Sequence, residues 1–178
     1  MTQLSDVNAI VLCAQTAPCV PTPLPEAMRF RSWTPTFYRP LAPTVGSYGV
    51  ILSAYHFFRV FRSRTYSALL ILNHDAVVHR SLVVPAYFRY PFMDCNDLQI
   101  GLTWTHPKYR GAKLATSALR KLVAMHASAG RKLWYIVHPG NQASIAVSAR
   151  AGFTPVGTVR TVYPLGLKGL SRYEIVRS

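Results

Sequence analysis

Leu98-Gln99-Ile100-Gly101-Leu102-Thr103-Trp104-Thr105-His106-Pro107-Lys108-Tyr109-Arg110-Gly111-Ala112-Lys113-Leu114-Ala115-Thr116 is the stretch on which the fold turns. Residues 98–105 mix aliphatic, β-branched and aromatic side chains, as a strand does. Pro107 and Gly111 then break the strand, and Leu114, Ala118, Leu119, Leu122 and Met125 recur on one side of a helix read from Ala112 to Ala129, which Gly130 stops. Successive backbone N–H groups and the cations Lys108, Arg110 and Lys113 therefore meet at a helix start, where the macrodipole favours a bound anion. The spacing suits a diphosphate, although a plain solvated helix start has the same composition.

Working outward, Leu133 to His138 is a short apolar run of buried-strand type, and Asn141 supplies an N-cap for a helix over Ala143 to Ala151 that ends at Gly152-Phe153. On the N-terminal side, Thr65 to Leu72 and Ala76 to Phe88 flank the turn residues Asn73-His74-Asp75 and read as a hairpin. Tyr48 to Arg62 carries Val50, Ala54, Phe57, Phe58 and Phe61 at helical spacing with Arg59, Arg62 and Arg64 beside them. This stripe suits the inward face of a core helix, or a basic face for a membrane or nucleic acid. Seven prolines between Pro18 and Pro43 make that part loop-rich, preceded by an edge strand around Asn8 to Ala14. Thr154 to Val162 and Ser171 to Val176 close the chain as an antiparallel pair, joined by a glycine-rich connection, Pro164 to Gly169, expected to be mobile.

The order strand, basic turn, helix, strand, capped helix and Gly-Phe resembles the GNAT superfamily of acyl-coenzyme A dependent N-acyltransferases. In that family a strand leads into Gln/Arg-x-x-Gly-x-Gly/Ala, whose amides hold the coenzyme pyrophosphate, and Asn with a small helix and Gly-Phe follow. Arg110, Gly111, Ala112, Lys113, Leu114 and Ala115, with Thr116 beyond, stand at the first motif, and Asn141, Ser144, Gly152 and Phe153 at the second. The resemblance implies an α/β (α+β) fold, a mixed and mostly antiparallel central sheet with helices on both faces. It implies a single acyl-coenzyme A acyltransferase domain over residues 1–178, with a loop-rich part over 1–45 and the cofactor-binding core over 98–153. Acetyl-coenzyme A would be the co-substrate and an amine the acceptor. By the same analogy the strand from Leu98 splays from its neighbour, so that backbone groups at Thr103 and Thr105 pair with the pantetheine arm. The N–H near Thr105 would polarise the thioester carbonyl.

Three positions depart from the family pattern. Lys113 replaces the motif's first glycine; a residue in ordinary helical conformation would still offer its N–H, and the ammonium would add charge. Gln99 stands where histone-type members carry a glutamate base, and Ser148 where many carry a tyrosine acid. With six acids in the chain, a carboxylate base requires Asp94 or Asp97 to fold back over the site. His138, at the end of its strand, is the first candidate for handling the amine's proton, though it also suits a plain strand terminus before Pro139. Trp104, Tyr87, Phe88, Tyr90, Phe92 and His79 read more readily as core or hairpin-edge residues than as cleft walls.

The 178 residues carry 20 Lys and Arg against six Asp and Glu, a formal charge of +14, and half are hydrophobic, enough for one proper core. That excess points to anionic partners beyond coenzyme A, namely an anionic acceptor such as a nucleotide-linked sugar, nucleic acid or an anionic membrane surface, or else to the general basicity of the source. Cys13, Cys19 and Cys95 form no metal-ligand spacing, so no metal is expected, and their odd number fits a reducing compartment. The apolar run from Ala9 to Ala14 follows Asp6 without a preceding Lys or Arg, unlike a signal peptide, and no run is long enough to span a bilayer. The chain reads as cytoplasmic. Two other functions fit parts of the pattern: a basic nucleic-acid-binding protein without chemistry, and a coenzyme A binder whose catalytic positions have degenerated.

Overall fold

The computed structural model describes residues 5–15, 23–126, 128, 130–167 and 170–176. Among these, eight strands form one sheet: β1 (Ser5–Gln15), β2 (Met28–Trp33), β3 (Ser67–Asn73), β4 (Ala76–Pro85), β5 (Leu98–Thr105), β6 (Lys132–Val137), β7 (Thr154–Val162) and β8 (Arg172–Val176). Their order across the sheet is β2-β3-β4-β5-β6-β1-β7-β8, and every neighbouring pair is antiparallel except β5 with β6. That parallel step follows from its connection, since helix α2 (Leu114–His126) crosses over between the two strands. Helix α2 and the short α3 (Gln142–Arg150) cover one face, where Leu114, Ala118 and Leu122 pack on Leu12, Ile71, Ile100 and Tyr135. Helix α1 (Ser47–Phe57) covers the other with Leu52, over Leu70, Leu82, Val84 and Trp134. Helices on both faces of a mostly antiparallel sheet is the architecture the sequence predicts.

Three local expectations are corrected. β1 is no edge strand: it lies between β6 and β7, and Val11 and Leu12 are buried on opposite faces, as an apolar run without alternation requires. The proline-rich part contains β2, whose Met28-Arg29-Phe30-Arg31 alternation lays Met28 and Phe30 on the core while the strand forms the sheet's edge. α1 stops at Phe57, with Arg59 left-handed at φ 57°, and the stripe through Val50, Phe57 and Phe58 faces outward. Gly49, Leu52 and Ser53 are its buried residues, and Phe61 reaches the core only after the chain has turned back.

Cys19, Lys168 and Gly169 lie outside the described residues. Among the described residues no helix is long and apolar enough to cross a membrane, and no His, Cys, Asp and Glu gather as a metal site.

Candidate active site

β5 and β6 stay together only briefly. Their register runs Leu98 with Leu133, Gln99 with Trp134 and Ile100 with Tyr135, and stops there although β5 continues to Thr105 and β6 to Val137. The closed end is held by Asp97, a fully buried carboxylate that accepts from Trp134 Nε1 (2.8 Å), Lys132 N (2.9 Å) and Asp94 N (3.0 Å). Asp94 in turn pairs with Lys132 at 3.4 Å. Neither acid folds back over the open end.

The open edge of β5 is shaped by a bulge. Leu82 faces Gly101 and Arg80 faces Trp104, so Leu102 and Thr103 together oppose Ser81, with Leu102 at φ 47°. The buried Arg80 clamps it, donating from Nε and Nη2 to the Leu102 carbonyl (3.2 and 3.0 Å) and from Nη1 to Thr44 Oγ1 (2.7 Å). His106 N donates to Val78 O (2.9 Å) on β4. Alternate residues of a strand turn the same way, so the main-chain groups of Thr103 and Thr105 face away from β4, into the gap.

One cavity opens on each face of the sheet at this gap. The larger, about 680 Å³, lies on the α2–α3 side and is lined by Thr103, Trp104, Thr105, Arg110, Gly111, Lys113, Leu114, Ala115, Thr116, Tyr135, Asn141 and Ser144 among others. Of the sequence-predicted cofactor residues only Ala112 is missing from its wall. Helix α2 begins at Leu114, two residues later than expected, because Gly111 (φ 83°) and Lys113 (φ 57°) are left-handed. Lys113 is thus not in helical conformation; it adopts the backbone geometry that glycine takes most readily. Its carbonyl accepts from Ser117 N (3.0 Å), and the first-turn amides after it have no partner within the helix. Arg110 Nε reaches back to the Thr105 carbonyl at 3.4 Å. Across the cavity, Asn141 caps α3 as expected, its Oδ1 accepting from Ser144 N (3.1 Å).

The smaller cavity, about 370 Å³, lies on the α1 side, between Gly101 and Leu102 of β5, Ile136 of β6, Tyr48 and Leu52 of α1, and Tyr87, Arg89, Tyr90 and Tyr173. Gln99 belongs to this wall. Leu102 borders one cavity and Thr103 the other, as do Ile136 and Tyr135, so the two cavities flank the same opening. Tyr87 and Tyr90, read as core, are buried and line it as well, and burial raises both phenols above their ordinary pKa.

The structure does not bring His138 or Ser148 to either cavity. His138 is exposed, and its Nδ1 accepts from Gly140 N (3.1 Å) while its carbonyl accepts from Asn141 N. Ser148 is fully buried and donates to Ile145 O at 2.9 Å, a bond within its own helix. His79 lines neither cavity either, but it is hydrogen-bonded to the part of β5 that borders the gap. Fully buried, it shares hydrogen bonds with Thr105 Oγ1 (2.8 Å, Nδ1) and Ser81 Oγ (3.1 Å, Nε2), and Ser81 Oγ meets Thr103 Oγ1 at 3.2 Å. Burial, aided by the neighbouring Arg80, lowers its pKa to about 4, so the ring is neutral near pH 7. A neutral ring donates at one nitrogen and accepts at the other, which gives the chain Thr105–His79–Ser81–Thr103 a direction. Strand alternation places His79 and Ser81 on one face of β4, but the pairing of His79 with Thr105 depends on a register that a single strand does not reveal.

Residues 56–154, more than half of the chain, match the family model described as an acetyltransferase (GNAT) domain. Solved structures of similar fold include a tandem GNAT protein from the clavulanic acid biosynthesis pathway (TM-score 0.56, 19% identity, covering 86% of this chain and 52% of that one). A GCN5-related N-acetyltransferase from Kribbella flavida gives a TM-score of 0.57 at 12% identity, over 90% of this chain and 59% of that one. An acetyltransferase of the GNAT family from Colwellia psychrerythraea gives 0.56 at 15% identity, over 96% and 57%. At such identities the likeness is one of fold, and the chain spans a little over half the length of these structures. No curated protein matches the chain in sequence.

Proposed function

The chain belongs to the GNAT acetyltransferase family, and from that premise we propose that it transfers an acyl group, acetyl in the first instance, from a coenzyme A thioester directly to an amine. The observation that carries this reading is the end of β5–β6 pairing at Ile100 and Tyr135, with a cavity on each side of the opening. An arm laid in the gap satisfies strand-edge groups that have no strand partner, and it delivers its end to the boundary between the two cavities.

The residues of the larger cavity fit coenzyme A. Unpaired amides at the start of α2, with Arg110 and Lys113 beside them, suit its diphosphate, and Thr103 and Thr105 present backbone groups for the pantetheine. Asn141 and Ser144 form the facing wall. The bound thioester supplies an activated acyl carbon. The amine enters through the smaller cavity, its nitrogen bonds to that carbon, and the carbon–sulfur bond breaks. A main-chain N–H at the clamped bulge stabilises the charge gathering on the carbonyl oxygen. No Asp or Glu among the described residues lines either cavity, and the neutral, doubly bonded His79 is a weak base. The amine's proton therefore leaves through water. With Ser81 donating to it, the Thr103 hydroxyl at the end of the His79 chain is the group we assign to donate toward the departing sulfur, since neither His138 nor Ser148 lines a cavity.

Melting curves with and without acetyl-coenzyme A test the seat: saturation at a hundredfold the dissociation constant adds about 2.7 kcal/mol of stability. Thiol release over a panel of amines tests the chemistry. A shift without release from any acceptor points to a degenerate binder, and no shift with strong, salt-sensitive retention on DNA or RNA points to a nucleic-acid-binding protein.

A further inference from the structure

Among the described residues, the smaller cavity contains a cation with no anion to meet it. Arg89 lies in the segment after β4, and its guanidinium carbon sits 5.2 Å from the centre of the Tyr173 ring. Its main chain is tied to the same residue, with Tyr173 N donating to Arg89 O at 2.8 Å. Tyr173 is in turn stacked on Tyr90, centroids 5.6 Å apart and planes 9° from parallel. Nη1 donates to the Tyr48 hydroxyl at 3.2 Å. Nε is buried and has no hydrogen-bond partner.

A buried guanidinium N–H without an acceptor costs free energy, and proteins normally satisfy it. Among the described residues no acid is paired with it. Among the described residues none of the cavity's lining is Asp or Glu, and Asp75, Asp94, Asp97 and Glu174 are engaged elsewhere, with Arg29, Lys132, the start of β6 and Arg160. With Nη1 directed at Tyr48, the edge of the guanidinium formed by Nε and Nη2 remains, and that edge matches the two oxygens of a carboxylate. The packing of Arg89 on Tyr173 and its main-chain bond hold the guanidinium in place, and a carboxylate reaches Nε by displacing the groups that cover it.

We propose that the amine acceptor carries a carboxylate, and that Arg89 binds it at the far side of the smaller cavity while the amine reaches the bulge at Leu102 and Thr103. This rests on the acyltransferase reading above, which makes the smaller cavity the acceptor's. About 370 Å³ is at the small end of ligand sites, so the acceptor is a small aminocarboxylate such as an α-amino acid, with its side chain against the tyrosine walls.

The experiment compares matched ligands with and without the carboxylate, with rates expressed per unprotonated amine because the carboxamide's amine is the less basic. Melting curves of the protein alone are recorded with the common α-amino acids and with their carboxamides, and thiol release from acetyl-coenzyme A is followed with the same pairs. At least one amino acid stabilises the protein at a concentration where its carboxamide does not, and its kcat/KM exceeds that of the carboxamide by roughly tenfold to a hundredfold, the range expected for a charge-assisted pair. Arg89→Met removes the preference, and Arg89→Lys, which keeps the charge and most of the packing but not the fork, reduces it. Equal use or equal binding of carboxylate and carboxamide by the unaltered protein overturns the proposal, whatever the variants do, and so does a preference that survives Arg89→Met. Failure of the underlying reading looks different: acetyl-coenzyme A then neither stabilises the protein nor loses its acyl group, while the carboxylate preference in melting persists.

Discussion

Lys113 sits at φ 57°, where a side chain is strained and glycine is not. Lys113→Gly is therefore expected to stabilise the fold by roughly 0.5–1 kcal/mol, the relief of strain exceeding the added freedom of the unfolded chain. It also removes a cation from the larger cavity. The dissociation constant for coenzyme A should rise several-fold at low salt, and the difference should shrink as salt screens the charge. Melting curves and titrations at two salt concentrations check both halves. His79 makes a second prediction. Its pKa in the fold, about 4, lies below the ordinary 6.5, so the unfolded chain takes up a proton in a range where the folded one does not. Stability is then fully present above pH 6.5 and is lost as pH falls from there toward 4, by roughly 3 kcal/mol at the lower end. His126, whose pKa burial also lowers, adds in the same direction. His79→Gln should flatten that slope in melting curves taken across the range; an unchanged slope would place its origin elsewhere. Neither residue's state is visible in sequence. A lysine at a glycine position signals a departure but not the torsion it adopts, and a histidine in a strand names no partner until the register is known.

The bulge in β5 sets the aim of the main chain at the gap, and Arg80 holds it through two bonds to the Leu102 carbonyl. Arg80→Met fills much of the same space but leaves that carbonyl and Thr44 without their donor. A loss of about 1–3 kcal/mol of stability follows from the orphaned acceptor. The kinetic consequence should be larger, because a misplacement of about 1 Å at reacting groups can cost on the order of a hundredfold in rate. The expected pattern is a fall in kcat larger than the loss of affinity for coenzyme A, since Arg80 holds the bulge that meets the pantetheine but not the seat at α2; a variant that loses coenzyme affinity and keeps kcat would contradict it. At this scale the sequence was informative where local chemistry decides an element. Asn141 with Ser144 marked a helix start, Gly152 marked a stop, and Asn73-His74-Asp75 marked a hairpin, whereas α2 ends at His126, before the expected stop at Gly130. It misled where partners decide. β1 is central because β6 and β7 flank it, and β2 pairs with β3 despite the prolines around it. The inward face of α1 is set by the aromatic floor beneath Leu52 and Tyr55 rather than by its most apolar stripe.

Across the whole molecule, two cavities on opposite faces of one sheet share a single opening, and on the proposed reading this arrangement sets the order of chemistry. A donor seated on the α2 side and an amine entering from the α1 side can occupy the protein together, so the acyl group needs no resting place on the chain. Among the described residues no cysteine offers one: Cys13 is buried in the sheet, Cys95 is exposed, and neither lines the opening. Burial also raises the Cys13 thiol above its ordinary pKa, leaving it a poor nucleophile near neutrality. The strand, basic turn and capped helix made the wall of the larger cavity legible, because glycines and caps show in the sequence. The acceptor side was not legible, because its walls come from α1, the segment after β4, β5, β6 and β8, with Arg89 and Tyr173 84 residues apart in the chain. Initial-rate measurements should accordingly give lines that intersect when acetyl-coenzyme A and amine are varied together, with free coenzyme A competing against acetyl-coenzyme A. Parallel lines, the sign of an acylated protein intermediate, would mean that the two cavities do not act in a single ternary complex, and a labelled acyl group retained on the denatured chain would identify where it rests instead.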